Sequence, residues 1–177
     1  MTIYTGRGDE GKTDLRDMSR VSKASHRIEA YGSVDEVNSL LGVVSPTGYE
    51  DVDETLRELQ NYLHVLQAEF ANPSPDEDDP QIREEHVDWL EDVVDEFDAE
   101  LDPLEKFILP GGSEPGAKLH HARAVCRRAE RRAVSFADEE GASESALVFI
   151  NRLSDVLFTL ARVVNQREGV PEENPTY

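Results

Sequence analysis

Apolar residues recur every three or four positions through most of this chain, a period that admits little besides helices packed side by side. Leu56, Leu59, Leu63, Leu66 and Phe70 make the cleanest seam and predict a helix over about 53–71. Ala30, Val34, Val37, Leu41 and Val44 predict one over about 25–44, and Ile82, Leu90, Val93, Val94 and Phe97 one over about 81–101. A fourth follows a Gly-Pro turn, with Leu119, Ala122, Val125, Cys126, Ala129, Ala133 and Phe136 on one arc. Ala146, Ile150, Leu153, Leu157, Leu160 and Val164 predict the fifth, over about 142–168. Five such helices with mostly short connections predict an all-α, up-and-down five-helix bundle of the ferritin-like kind. The expected organisation is one domain over 1–177: a loop to residue 24, the bundle over 25–168 and a frayed tail over 169–177. The acidic run NPSPDEDDP (72–80) reads as an exposed connection.

Composition narrows the function. No stretch approaches the ~18 apolar residues of a membrane span, and the N-terminal MTIYTGRGDE lacks the apolar core of a secretory signal. The single cysteine, Cys126, lies on a core stripe and reads as a small buried hydrophobe. These features point to the cytoplasm. Acidic residues number 38 against 18 basic, for a net charge of −20. That balance opposes binding to nucleic acid or anionic membranes, and is the composition expected of a protein kept soluble in concentrated salt.

Against this background the fourth helix is exceptional. At 100° per residue, Arg123, Arg127 and Arg131 project from one side over two turns, with Glu130 beside them. His121, Arg128 and Arg132 fall roughly opposite the core, toward solvent. Three adjacent guanidiniums repel one another unless an anion faces them, and planar guanidiniums suit a polyphosphate. On the first helix Asp35 lies on a strip flanking the core, as Asn151 and Asp155 do on the last. Phe107, beside Ile108 and Leu109 before a turn, reads as core.

Near the N-terminus, TIYTGRGDEGKT carries Gly6, Gly8 and Gly11 in a tight loop able to approach a ligand closely. Gly6 to Thr13 formally fits G-x4-G-K-[ST], yet no buried strand precedes it and DLRDMSR, not a helix, follows. A phosphate-contacting loop of another kind fits better, with backbone N–H groups, Lys12 and Thr13 as donors.

Three blocks in order then carry a resemblance: YTGRGDEGKT with YGSVDEVNSLLG, FILPGG with HHARAVCRRAERR, and NRLSDVLFTLAR. Together they resemble the PduO-type ATP:cob(I)alamin adenosyltransferases over nearly the whole chain, segments 72–80 and 98–105 excepted. The resemblance implies a homotrimer with active sites between subunits and transfer of the 5′-deoxyadenosyl group of ATP to reduced cobalamin, with Mg²⁺ on the phosphates. It implies that Thr5, Gly6, Arg7, Gly8, Asp9, Gly11, Lys12 and Thr13 form the nucleotide loop and that Lys23 reaches the phosphates. It likewise assigns Arg127, Arg128, Glu130, Arg131 and Asn151 to ATP, pairs Asp35 with Arg123 across the interface, and puts Phe107 on the lower axial side of cobalt. Arg7 departs from the lysine common at that position. A flavoprotein reductase and a B12-dependent enzyme are the further partners implied. A di-iron bundle is disfavoured, since none of the five histidines follows a glutamate by three residues. His120 and His121 have no clustered ligands beside them.

Overall fold

The computed structural model describes residues 3–177; Met1 and Thr2, where the expected N-terminal loop begins, lie outside the described residues. Five helices make the body: α1 His26–Val44, α2 Glu50–Phe70, α3 Glu84–Asp98, α4 Glu114–Glu140 and α5 Glu144–Arg167. Before them a small antiparallel hairpin pairs β1 Lys12–Asp14 with β2 Arg20–Ser22. With three residues per strand it shows no apolar alternation, which is why periodicity predicted only loop there.

The bundle is built on α5. From Val156 to Asn165 every residue except Phe158 is buried, because α4 and α3 cover it from two sides. The close-packed pairs are α4 with α5, α1 with α4, α3 with α5 and α1 with α2. Neighbours in space are therefore only partly neighbours in sequence, and two connections, 71–83 and 99–113, are long. Tyr62 of α2 meets Trp89 of α3 and Phe149 of α5 edge-on, with centroids 5.1 and 6.3 Å apart, and links these three helices.

Capping sets the ends. Ser25, Ser113 and Ser143 each accept a backbone N–H at the start of α1, α4 and α5. Two boundaries differ from expectation. α2 starts at Glu50 rather than Asp53, since Glu50, Asp51 and Asp53 all suit the positive end of a helix. α3 covers only 84–98; Ile82 is still buried but lies before the helix, its N–H donating to buried Glu69 at 2.8 Å. The 72–80 connection is also organised: Asp79 accepts from Asn72 and from Asp76 N, and pairs with Arg16. Part of the tail makes specific contacts. Arg162 donates to Glu172 at 2.6 Å, and Asn174 donates to Phe107 O at 2.9 Å.

Candidate functional site

The N-terminal loop is shaped as a ligand-facing turn. Gly6 and Gly11 have φ of +70° and +74°, left-handed values that glycine adopts without strain. A Cβ on Gly8 would stand 2.9 Å from Lys23 Nζ, so Lys23 lies directly against the loop. Lys23 N donates to Gly11 O at 2.9 Å, which fixes that approach through the backbone. Beneath the loop a cavity of about 280 Å³ is lined by Thr13, Lys23, Arg27, Ile28, Tyr31 and Phe70, among others. Lys12 and Thr13 belong to a strand, and the first helix begins only at His26, so the local structure is not a P-loop. Arg7 is committed within the loop: its Nε and Nη2 donate to both oxygens of Asp14 at 2.7 and 2.8 Å. That hydrogen bonding, with the neighbouring positive charge, holds the Asp14 carboxyl below its ordinary range. Thr5 accepts from Arg7 N at 3.4 Å and Asp9 N donates to Gly6 O at 3.3 Å, closing the turn.

The second group lies along α4 and α5. Asn151 Nδ2 donates to Glu130 Oε1 at 2.7 Å, and Arg131 Nη1 donates to Arg127 O at 2.8 Å. Arg123 lies over the ring of Phe158 at 5.3 Å. Among the described residues, Arg57, Arg83, Arg123, Arg127 and Arg131 are the arginines without a carboxylate within 4 Å. Every other arginine is paired. In a chain with 38 acidic residues, the three arginines of the α4 arc are thus kept free of their own carboxylates.

Arg128 follows the helical-wheel expectation and adds a partner to it. It is exposed, as the wheel predicts, and there it pairs with Glu36 of α1, while Arg132, also exposed, pairs with Glu29 at 3.4 Å. These surface pairs reach across to α1, which a wheel drawn on one helix cannot show. Asp35 is exposed and accepts a long bond, 3.4 Å, from Gln67 of α2. Within the chain, then, the residues fall into two groups. The loop, Lys23 and Asp35 sit with α1 and α2, and Arg123, Arg127, Glu130, Arg131 and Asn151 sit on α4 and α5. Among the described residues no hydrogen bond or ion pair joins the two.

Phe107 overturns the core expectation, being 80% exposed. The turn after it is locked by Asn165, a buried residue that sequence reasoning passed over. Asn165 Oδ1 accepts from Ser113 N and Oγ at 2.9 Å each, while its Nδ2 donates to Gly111 O at 2.9 Å. A polar residue at the end of an otherwise apolar seam was the available signal. His120 is buried against Phe158, with centroids 6.0 Å apart, and burial lowers its pKa. Cys126 is buried too; its Sγ donates to Ile150 O at 3.4 Å, and burial raises its pKa.

The family description "Cobalamin adenosyltransferase" matches residues 3–164. The chain belongs to that family. It is 41% identical over 175 residues to the corrinoid adenosyltransferase of Bacillus subtilis, covering 96% of this chain and 90% of that one. It is 42% identical over 165 residues to the corrinoid adenosyltransferase PduO of Salmonella typhimurium, covering 92% of this chain and 49% of that longer protein. Among solved structures, a phenylalanine-to-alanine variant of the PduO-type ATP:corrinoid adenosyltransferase from Lactobacillus reuteri, complexed with cobalamin and ATP, superposes with a TM-score of 0.93. That pair is 35% identical, with 99% of this chain and 100% of that chain covered. An arginine-to-lysine variant of the same enzyme, complexed with ATP, gives a TM-score of 0.89 at 36% identity.

Proposed function

We propose that this protein transfers the 5′-deoxyadenosyl group of ATP to the cobalt of cob(I)alamin, giving adenosylcobalamin and triphosphate. The cobalt(I) electron pair forms the Co–C5′ bond, the C5′–O bond breaks, and triphosphate leaves with the C5′–O bonding pair. Cobalt(I) is itself a powerful nucleophile, so no protein base is required. The protein's task is to hold C5′ in line with cobalt and to stabilise the charge on the leaving group. The observation that carries this reading is the α4 arc, whose arginines have no carboxylate partner in a strongly acidic chain.

Arg127 and Arg131 donate to the phosphates, with Asn151 and Glu130 holding the neighbouring edge of the nucleotide. Arg128, paired with Glu36, acts at most indirectly. Backbone N–H groups of the 5–13 loop, with Lys12, Thr13 and Lys23, cover the phosphates from the other side. Among the described residues no three His, Cys, Asp or Glu side chains gather as a cation cage. Mg²⁺ accompanying the nucleotide would offset charge on the triphosphate leaving group.

The separation of the loop group from the arginine group supports a site completed between neighbouring subunits of a homotrimer. The loop and Asp35 of one subunit then face Arg123, Arg127 and Asn151 of the next. Phe107, exposed and without a lone pair, fits the lower axial side of cobalt, where it excludes water and the dimethylbenzimidazole base. With no axial donor, the orbital that receives the electron falls in energy, and Co(II) becomes reducible by a biological reductant such as a flavoprotein. A B12-dependent enzyme is the natural recipient of the product. Among the described residues no helix is long and apolar enough to cross a membrane, and a cytoplasmic location suits this chemistry.

Isothermal titration with MgATP tests the reading against a non-enzymatic helical scaffold. Saturable binding that Arg127→Ala weakens is expected; no binding by the wild-type protein would overturn it.

A further inference from the structure

An exposed ring has no packing of its own to hold it, so the position of Phe107 is set by its backbone. That backbone, the α3–α4 connection, is tied at successive points to the end of α5 and the segment after it. Buried Arg162 donates Nη2 to Asp102 O at 3.0 Å and Nε to Glu172 Oε1 at 2.6 Å, joining the start of the connection to the tail. Asn174 Nδ2 donates to the carbonyl of Phe107 itself at 2.9 Å. Leu109 N donates to Glu173 O at 2.7 Å. Asn165 then grips Gly111 and Ser113 as described above.

The fit around Asn165 is close. A Cβ on Gly112 or Gly116 would stand 2.3 or 2.0 Å from Asn165 Oδ1, and Gly112 has φ +110°. No other residue fits either position without displacing the amide. Val170 N donates to Asn165 O at 2.9 Å, so the chain leaves α5 directly beneath the turn and runs on along the Phe107 segment.

We propose that Asn165, Glu172 and Asn174 are positioning residues, and that the segment after α5 is a strap that sets where Phe107 stands. It rests on Phe107 lying under cobalt, as inferred above. A ring placed only through main-chain hydrogen bonds shifts when one of them is lost. A displacement of about an ångström is large on the scale of site geometry. Here it would give a water or base donor room beneath the metal.

The test is electron paramagnetic resonance of the full chain loaded with ATP and Co(II)alamin, reading the four-coordinate fraction. Wild type, Phe107→Ala, Asn174→Ala and the double variant Glu172→Ala/Asn174→Ala are compared. Arg162 keeps Asp98 at 3.7 Å and Asp102 O in the double variant, so its charge is not orphaned. The double variant is expected to lose at least threefold of the four-coordinate fraction while its Kd for ATP stays within twofold of wild type. Its rate with cobalamin supplied already as Co(I) is expected to stay within threefold. Asn174→Ala, which deletes one surface hydrogen bond, should lose at least twofold and serves if the double variant does not fold. A wild-type fraction in the strap variants, with the signal lost in Phe107→Ala, overturns the strap alone. An unchanged signal in Phe107→Ala overturns the placement of Phe107, and the strap with it.

Discussion

Asn151 of α5 donates to Glu130 of α4 at 2.7 Å, one helical turn from Arg127, which has no carboxylate partner. The carboxylate available to Arg127 from this neighbour is thus engaged elsewhere, and the guanidinium is left for a ligand. Losing a charge-assisted phosphate bond costs on the order of 1.5–3 kcal/mol. Arg127→Ala should therefore weaken ATP binding or turnover at least about tenfold while cobalamin binding changes little. Calorimetry with each substrate checks this; equal losses for both would indicate a folding defect instead.

Asp35 and Arg123 lie on different faces of one chain, yet both flank core seams and neither has an oppositely charged partner. If they meet across a subunit interface, Asp35→Asn should lower ATP affinity or activity and Arg123→Ala should do the same. A double-mutant cycle in which the two effects simply add would show that the pair is uncoupled. Mass measurement in high salt should give a trimer, because screening relieves repulsion between subunits of charge −20. A monomer that remains fully active would rule out an intersubunit site.

The bundle was legible in the sequence because helical periodicity is local: Leu56, Leu59, Leu63, Leu66 and Phe70 announce their own buried face. What the sequence hid depends on contacts between elements. Arg128 is exposed as its spacing predicts, but nothing in α4 reveals that Glu36 of α1 stands within reach of it. Phe107 looked like core because an apolar neighbourhood does not say which side of a turn faces outward. The β1–β2 hairpin has too few residues to show a period, and the strap after α5 is held by single side chains bonding to distant backbone, such as Asn174 to Phe107 O, which no local pattern encodes. The arginine arc was visible from spacing alone; its freedom from carboxylates was not.

Gly116 packs against Asn165 so closely that its replacement tests the turn. Gly116→Ala places a methyl 2.0 Å from Asn165 Oδ1, which forces the amide off Ser113 and Gly111. Overpacking of this kind typically costs about 1–3 kcal/mol. A lower Tm is expected in Gly116→Ala, and a much smaller change in Gly32→Ala, where nothing stands within 4 Å of the added Cβ. Equal losses would show that the clamp is not the cause.

Burial lowers the pKa of His120, so its neutral ring is the folded form near pH 7. The unfolded chain takes up a proton around pH 6.5, before the folded chain does. The stability linked to the neutral ring is present above that pH and is lost as pH falls toward the depressed value. Denaturant titrations between pH 7.5 and about 5 should show stability falling, and His120→Gln should flatten part of that fall. An identical pH profile in the variant would remove His120 as a contributor.

Adenosyl transfer is read directly in the visible spectrum of cob(I)alamin mixed with MgATP and the purified protein under anaerobic, high-salt conditions. The cob(I)alamin spectrum should convert to that of adenosylcobalamin, with one triphosphate released per cobalt alkylated. Conversion should fall at least tenfold with Arg127→Ala. A wild-type protein that binds ATP but leaves the cob(I)alamin spectrum unchanged would contradict the assignment.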